Sequence, residues 1–236
     1  MQPVIDRKFT ADELNTWESI VSLREKKRKF QVIDIYNDGF EELGLNQFEI
    51  PQLWKINNTL YSKTGFSGRY VTGLEDGSSF YRMLANRVFP IGNFVRDKED
   101  LSYTPAPDML HDLFGHIPFL MDEKYANFCH KFGESACKVI DNPEKLRKYE
   151  RFFWFTIEFG LIQINEVKQI FGAGIASSLG ECDYALSNVP EVIDFEIDCI
   201  INQEFKIDEM QNKLFILKSV DQLYDSLDEL NNKIQN

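Results

Sequence analysis

The sequence predicts a mainly α-helical fold of the α+β class, with many helices and a small antiparallel sheet. The first observation is composition. With 236 residues, 43% hydrophobic and 14% aromatic content, the chain suits one large domain, which we expect to span residues 1–236. The second is that apolar residues recur at helical spacing in most segments up to Phe171. The third is that short strand-like runs begin only beyond Gly172.

The first helix is predicted from a capping box. Thr10 and Glu13 precede an apolar pattern at helical spacing. The helix then ends in a basic run, REKKRK, at residues 24–29. This run could bind an anion, but positive charge near a helix C-terminus also favours the helix dipole. We therefore interpret it as a solvent-exposed face.

Two helices and a glycine-rich segment follow. One helix is predicted from about Val32 to Leu43, ending at Gly44, and the next begins at Pro51. Residues 64–77, TGFSGRYVTGLEDG, contain four glycines whose spacing matches neither phosphate-binding loop pattern, so a nucleotide site is not supported. We interpret this segment as an irregular loop that lets the backbone come close to something flat or bulky.

The later elements are predicted from caps and periodicity. They are a short helix capped by Ser78 and Ser79, a helix over Tyr125–Ile140, a long helix from Asn142 and Pro143 towards Phe171, short strands and turns in IFGAGIASSLGE, SNVPEVIDFEID and KLFILKS, and a final helix over Val220–Ile234.

Charge and composition exclude several classes of partner. A formal net charge of −12 and a pI near 4.8 leave little attraction for phosphate backbones or anionic lipids, so we expect neither nucleic acid nor membrane as a partner. The N-terminal residues, MQPVIDRKFT, lack the apolar core of a signal peptide, which predicts a cytoplasmic protein. The four cysteines are scattered without a CxxC pair, which argues against a zinc knuckle or a disulfide framework.

Two of the three histidines, His111 and His116, lie close together in YTPAPDMLHDLFGHIPFL, residues 103–120. Imidazole is the commonest protein ligand for transition metals. Five residues on a regular helix rotate a side chain by about 140°, so the two rings converge only at a local distortion or a helix end. Gly115 and Pro118 permit such a distortion. Taken alone, this spacing is more often a pair of structural histidines than a metal site.

A carboxylate could complete this site. Asp108 is predicted to cap a helix over Met109–Phe114 and to hold its geometry. Further along, Glu158 is surrounded by apolar residues in ERFFWFTIEFGL, where an ionised carboxylate without a partner would cost several kcal/mol to bury. It could instead face water or pair with Arg151. Asp108 and Asp112 are alternative carboxylate ligands. Asp112 is adjacent to His111, so it is better placed to contact a ligand residue or a cofactor than to bind the metal itself.

Three interpretations of these groups differ in function. Two histidines and one carboxylate make the facial triad that binds non-haem Fe(II) and leaves positions open for oxygen chemistry. A zinc hydrolase is less favoured, because the spacing is not the HExxH pattern. A three-histidine zinc site with His130 would use every histidine of the chain. A metal-stabilised binding module without catalysis is the remaining alternative.

Three segments together resemble a known family. Residues 103–120, Phe153–Leu161 and Phe171–Glu181 are similar to the signature segments of the tetrahydropterin-dependent aromatic amino acid hydroxylases. The similarity runs from about residue 64 to residue 181 and is greatest to bacterial members that hydroxylate phenylalanine. It implies a single catalytic domain that uses Fe(II), a tetrahydropterin and O₂ to hydroxylate L-phenylalanine to L-tyrosine.

The resemblance also assigns residues. His111, His116 and Glu158 would be the iron ligands, Arg96 would bind the substrate carboxylate, and Asp108 would orient Arg96. The amino acid pocket would further contain Thr104, Pro107, Trp154 and Ser177, and the pterin would contact Gly73, Leu74, Phe80 and Asp112.

Substrate choice and two departures qualify the resemblance. Many relatives have Glu at the position of Asp112, so the water-mediated contact of Asp112 with the pterin is shorter by one methylene. Many also have Tyr at the position of Phe153, which has no hydroxyl group. Trp154 is the residue typical of the phenylalanine- and tyrosine-selective members at this position. The segment KLFILKS lacks the acidic residue that tyrosine-selective members have in this region. Phenylalanine is therefore expected, with tryptophan or mixed specificity as the alternative. We also expect a monomer, without the regulatory domain or tetramerising tail of animal relatives.

Overall fold

The computed structural model describes residues 6–73, 75–97, 107–207 and 209–235. In chain order, with π denoting a π-helical turn, the elements are α1 (Ala11–Gln31), α2 (Asp34–Glu42), α3 (Leu53–Thr64), β1 (Ser67–Val71), α4 (Gly77–Ala85), β2 (Val88–Gly92), π1 (His111–His116), α5 (Ile117–Phe119), α6 (Glu123–Cys137), α7 (Pro143–Phe153), π2 (Trp154–Glu158), β3 (Leu161–Ile164), β4 (Val167–Ile170), α8 (Ala173–Ser177), α9 (Leu179–Leu186), β5 (Glu191–Asp194), α10 (Ile197–Asn202), β6 (Lys213–Leu217) and α11 (Val220–Gln235).

The mainly helical prediction with a small sheet is confirmed, but the sheets are mixed rather than antiparallel. Strands β1 and β2 form a parallel pair, with Ser67 opposite Val88. A four-stranded sheet has the order β4-β3-β6-β5, in which only the β3–β4 hairpin is antiparallel. Parallel pairs need crossover connections, and helices such as α4 supply them here. The glycine-rich segment, predicted as a loop, therefore contains strand β1.

Several helix starts follow the predicted capping chemistry. Thr10 and Glu13 form both bonds of a capping box, and Asn142 caps α7 by accepting from the amide of Lys145. Two starts were predicted wrongly. Helix α4 is capped by Asp76, which accepts from Ser79, because the helix begins before the serines. Helix α3 begins at Leu53, after Pro51 and not at it.

The predicted long helix to Phe171 is wrong. Helix α7 passes into π2 and ends at Glu158, and the β3–β4 hairpin occupies the following residues. The segment after Gly172, predicted as strands, instead forms α8 and α9. Apolar periodicity alone cannot separate a buried strand from a buried helix, which explains both errors.

The basic run on α1 is not simply a solvent-exposed face. Arg24 and Arg28 are only 1% and 0% exposed, whereas the lysines of the run are exposed. The guanidinium of Arg28 lies 3.8 Å from the ring centroid of Phe40 and donates to Glu41. Arg24 donates through Nε to the carbonyl of Ala176 at 3.0 Å. These two arginines therefore attach α1 to α2 and α8.

Apolar side chains form a connected core that extends from Trp17 in α1 to Ile234 in α11. Within the described ranges, we find no helix with the length and apolar character needed to cross a bilayer.

Helices α4 and α6 pack so closely that a glycine is required between them. A Cβ on Gly133 would lie 2.6 Å from the amide nitrogen of Ala85 and 2.8 Å from Cβ of Leu84. We expect Gly133→Ala to destabilise the fold by about 1–3 kcal/mol, because the clash involves backbone and exceeds the gain in helix propensity. Denaturant unfolding measures the difference.

The control is Gly180→Ala in α9, where a Cβ would meet only the flexible end of Met210 at 3.4 Å. This variant should be within about 0.5 kcal/mol of the parent. Equal stability of the two variants would contradict the proposed clash.

Candidate metal centre and active site

The turn π1 explains how two histidines five residues apart share one side of a helix. Its amide–carbonyl bonds span five residues, as between the amide of Ile117 and the carbonyl of Asp112. Residues i and i+5 are then one turn apart, and the rings of His111 and His116 approach to 4.9 Å between centroids. The predicted local distortion is confirmed and consists of this π turn.

Pro118 contributes to this turn by lacking an amide hydrogen. In a regular helix the amide of residue 118 would donate to the carbonyl of Phe114. Here the hydroxyl of Tyr36, fully buried on α2, donates to that carbonyl at 2.9 Å. The contact leaves no buried carbonyl unsatisfied at this position.

A second π turn carries the carboxylate. In π2 the amide of Phe159 donates to the carbonyl of Trp154 at 2.8 Å, again over five residues. The hairpin that follows packs against the backbone of Glu158. A Cβ on Gly172 would clash with the carbonyl oxygen of Glu158, so only glycine permits this approach. Helix α8 similarly lies against Gly115, because a Cβ there would be 2.8 Å from the carbonyl oxygen of Ala173.

These turns place one carboxylate between two imidazoles. Oε2 of Glu158 lies 3.4 Å from Nε2 of His111, and Oε1 lies 3.0 Å from Nε2 of His116. The side chains are largely buried, with exposed fractions of 13% for Glu158 and 2% for His116. Of the three possibilities for Glu158 raised from sequence, the structure supports burial beside positive or metal-binding partners. Glu158 is largely buried rather than exposed to water, and Arg151 pairs with Glu204 instead.

The rival carboxylates have other partners. Ligand atoms of His111, Asp112 and His116 do lie within 4.8 Å of one another, so Asp112 is within reach of an ion. However, Oδ1 of Asp112 lies 3.0 Å from Nδ1 of His111, and Oδ2 accepts from the amide of Gly92 at 2.7 Å. Of the three carboxylates considered, Asp108, Asp112 and Glu158, only Glu158 contacts the Nε2 atoms of both histidines, which is why we favour it as the third ligand.

The charges of this cluster reinforce each other. Burial by itself lowers the pKa of His111, but hydrogen bonds and charges from Asp112 and Glu158 outweigh it and raise that pKa to about 10. Burial by itself raises the pKa of Glu158, but the two histidines outweigh it and lower that pKa. The carboxylate is therefore ionised across the physiological range, as a metal ligand must be.

Arg96 and Asp108 form a buried ion pair behind the histidine turn. Nη2 and Nε of Arg96 donate to the two carboxylate oxygens of Asp108 at 2.7 and 3.0 Å, and the side chains are 5% and 0% exposed. Asp108 also accepts from the amide of His111 at 2.9 Å, which confirms the predicted cap. Burial raises the pKa of Asp108, but Arg96 and the backbone amides lower it overall.

A cavity of about 350 Å³ opens over the cluster. The predicted residues that line it are His111, His116, Glu158, Gly73, Phe80, Asp112, Pro107 and Trp154. Among the described residues, Arg96, Asp108 and Ser177 do not line it. The Ser177 hydroxyl donates to the carbonyl of Gly174, not to a histidine. Leu74 and Thr104 lie outside the described residues.

One wall of the cavity consists of stacked rings that sequence reasoning missed in part. Trp154 contacts both Phe159 and Phe205, with centroid distances of 4.6 and 4.4 Å. Phe205 and Ile207 line the cavity from a loop remote in sequence. The only local signal for Phe205 was a single aromatic residue in the polar run NQEFKIDEMQN. Nε1 of Trp154 is buried without a hydrogen-bond partner among the described residues.

Comparison with known proteins decides the family. Residues 1–236 match the sequence profile described as biopterin-dependent aromatic amino acid hydroxylase. The chain belongs to this hydroxylase family. The phenylalanine-4-hydroxylase of Pseudomonas aeruginosa is 34% identical over 92% of this chain and 82% of its own length. That of Ralstonia nicotianae is 33% identical over 95% and 71%, respectively. The resemblance drawn from sequence is thereby confirmed.

Solved structures of hydroxylases share the fold. Chromobacterium violaceum phenylalanine hydroxylase, with bound iron(III) and oxidised cofactor 7,8-dihydrobiopterin, superposes with a TM-score of 0.90 at 32% identity, covering 97% of this chain and 84% of that chain. The apo enzyme of Colwellia psychrerythraea gives a TM-score of 0.89 at 29% identity, covering 97% and 90%.

The buried pair behind the hydroxylase site supports a stability prediction. We expect Asp108→Ala to destabilise the protein by about 3–5 kcal/mol, because Arg96 would stay buried without its counter-ion. Thermal or denaturant unfolding at neutral pH measures the loss.

Asp183→Ala serves as the matched control, since Asp183 pairs with Lys27 on the surface at 2.8 Å. Loss of that exposed pair should cost no more than about 1 kcal/mol. Similar losses in both variants would show that Arg96 finds another partner.

Proposed function

We propose that the protein is a phenylalanine 4-monooxygenase, which hydroxylates L-phenylalanine to L-tyrosine with O₂, Fe(II) and a tetrahydropterin. The observation that carries the proposal is the position of Glu158 between the Nε2 atoms of His111 and His116, inside an aromatic cavity. This donor set fits non-haem Fe(II), which prefers two imidazoles and one carboxylate on one face. The names of the relatives supply the substrate.

His111, His116 and Glu158 would hold the iron. Asp112 would retain the proton on Nδ1 of His111, so that metal binding releases the proton of Nε2. The amide of Gly92 fixes the Asp112 carboxylate in turn. When bound, Fe(II) would supply the site for O₂ activation, with electrons from the tetrahydropterin, so that one oxygen atom enters the aromatic ring.

The pterin would contact Phe80, Gly73 and Leu74. Asp112 would contact it through a water molecule. Phe80 packs edge to face with Phe89 and Phe153, at centroid distances of 6.0 and 5.1 Å, which gives the cofactor a rigid apolar floor. These rings also keep water from the metal side of the cavity.

A separate set of residues would recognise the substrate. Arg96, oriented by Asp108, would bind the carboxylate of the amino acid, and Pro107 and Trp154 would pack on its ring, with Thr104 nearby. Because Arg96 is buried among the described residues, its guanidinium has little freedom to turn away. Ser177 would contribute indirectly. It lies beside Gly115 and would fix α8 against π1.

The connected core supports the further proposal that residues 1–236 act as one catalytic domain. The ring of Phe205 stacked on Trp154 in the cavity wall supports phenylalanine rather than tryptophan as the substrate.

The proposal is tested by anaerobic reconstitution with Fe(II), followed by O₂, a tetrahydropterin and phenylalanine, tyrosine or tryptophan in parallel. Tyrosine formed from phenylalanine is the expected product. Dominant 5-hydroxytryptophan would keep the reaction class and overturn the specificity. Lack of any hydroxylated product, with tight zinc retained, would contradict the proposed function.

Loss of one ligand should separate iron binding from folding. We expect Glu158→Ala to retain little iron after desalting and to lose turnover at least about 100-fold, while far-UV circular dichroism stays native. Metal analysis and product assays measure both effects.

Glu134→Ala is the control, because Glu134 lies 3.7 Å from His130 in the other Glu–His pair, on the surface of α6. It should bind iron and turn over like the parent. Full activity in Glu158→Ala would falsify the ligand assignment.

A further inference from the structure

The loop at residues 203–212, which we call the wall loop, separates two cavities. It connects α10 to β6, and residue 208 lies outside the described ranges. Phe205 lines the cavity over the metal cluster and also a second cavity of about 330 Å³ that reaches Phe155. Because both cavities border Phe205, its ring is not packed on every side.

Charged contacts attach this loop to α7. Oε1 of Glu204 pairs with Nη2 of Arg151, and Oε2 lies 3.8 Å from Nη2 of Arg147. Arg151 also donates to the carbonyl of Ile201 at 3.1 Å, at the end of α10. Each oxygen of one carboxylate therefore meets a different arginine, and the two arginines are one helical turn apart.

The same arginines continue into the stacked wall. The guanidinium of Arg147 lies 4.3 Å from the ring centroid of Phe205, and the same ring stacks on Trp154 with an interplanar angle of 14°. Cation–π attraction and the ion pairs act in the same direction, because both draw the wall loop towards α7. Helix α7 leads directly into π2, which carries Trp154 and Glu158.

We propose that Glu204 is a positioning residue that sets the aromatic end of the amino acid pocket by holding Phe205 against Trp154. This inference rests on the proposed hydroxylase function. Glu204 is not among the described residues that line the cavity over the metal cluster, and its side chain is 71% exposed, so it acts only through Phe205. Its loss should weaken amino acid binding and leave the iron ligands unaffected.

The decisive variant is Glu204→Gln in the iron-loaded enzyme. An ion pair at the surface contributes up to about 1 kcal/mol, so we expect KM for phenylalanine and its dissociation constant to rise about fivefold. By contrast, kcat, KM for the pterin and iron content should change less than about twofold. Calorimetric titration of phenylalanine gives the binding constant without turnover.

Glu209→Gln provides a matched control on the same loop. Within the part of the chain that the structure describes, the Glu209 carboxylate pairs with Lys206 of the same loop at 2.8 Å and is 56% exposed, so its loss removes the same charge without releasing α7. Its KM should equal that of the parent. Glu204→Asp keeps the charge and should restore KM to within about twofold of the parent value.

Ionic strength provides a second readout that a purely structural role would not affect. Salt screens exposed ion pairs, so KM for phenylalanine should rise with salt in the parent and in Glu209→Gln but much less in Glu204→Gln. Unchanged KM and binding in Glu204→Gln, even with a lower Tm, would overturn the proposal. An equal rise in KM for the pterin would do the same. A parent enzyme that neither binds nor hydroxylates phenylalanine would instead remove the proposed function and this inference with it.

Discussion

Convergence of three side chains on one point is the constraint on which the structure depends. In a regular helix the side chains of His111 and His116 would point about 140° apart. The hydrogen bonds of π1 span five residues and bring the two side chains to the same side of the helix. The same device ends α7 at Glu158. Such π turns are rare in helices. The surrounding elements hold them through the Tyr36 hydroxyl, the hairpin at Gly172 and helix α8 at Gly115.

The residues around these turns must provide partners for buried charges. Three carboxylates, Asp108, Asp112 and Glu158, lie in or beside the core, and each has a counter-charge or donor within hydrogen-bond distance. Without such partners each would cost several kcal/mol. Since every carboxylate is already oriented by protein groups, the donor set is preorganised for a metal and little reorganisation accompanies binding. Stability and function therefore depend on the same contacts.

Local chemistry could be predicted from sequence, and long-range pairing could not. The capping groups Thr10, Asp108 and Asn142 act within three residues, so their patterns are visible in the chain. The His–His–Glu set was also visible, because histidines are scarce here and Glu158 sits in an apolar run. The parallel pairing of β1 with β2 was not visible, since its partners are joined only through a crossover. Phe205 was missed for the same reason: the ring it stacks on, Trp154, lies far away in sequence.

The site thus has two parts that differ in rigidity. Its inner part, with the metal-binding groups, is built from buried π turns whose geometry is fixed by backbone contacts and glycine approaches. Its outer wall is a loop that borders a second cavity and is attached to α7 by exposed charges and to Trp154 by one stacked ring. Exposed pairs are weak and adjustable, whereas buried packing is not. A change in the wall loop can therefore alter the aromatic end of the cavity without moving His111, His116 or Glu158.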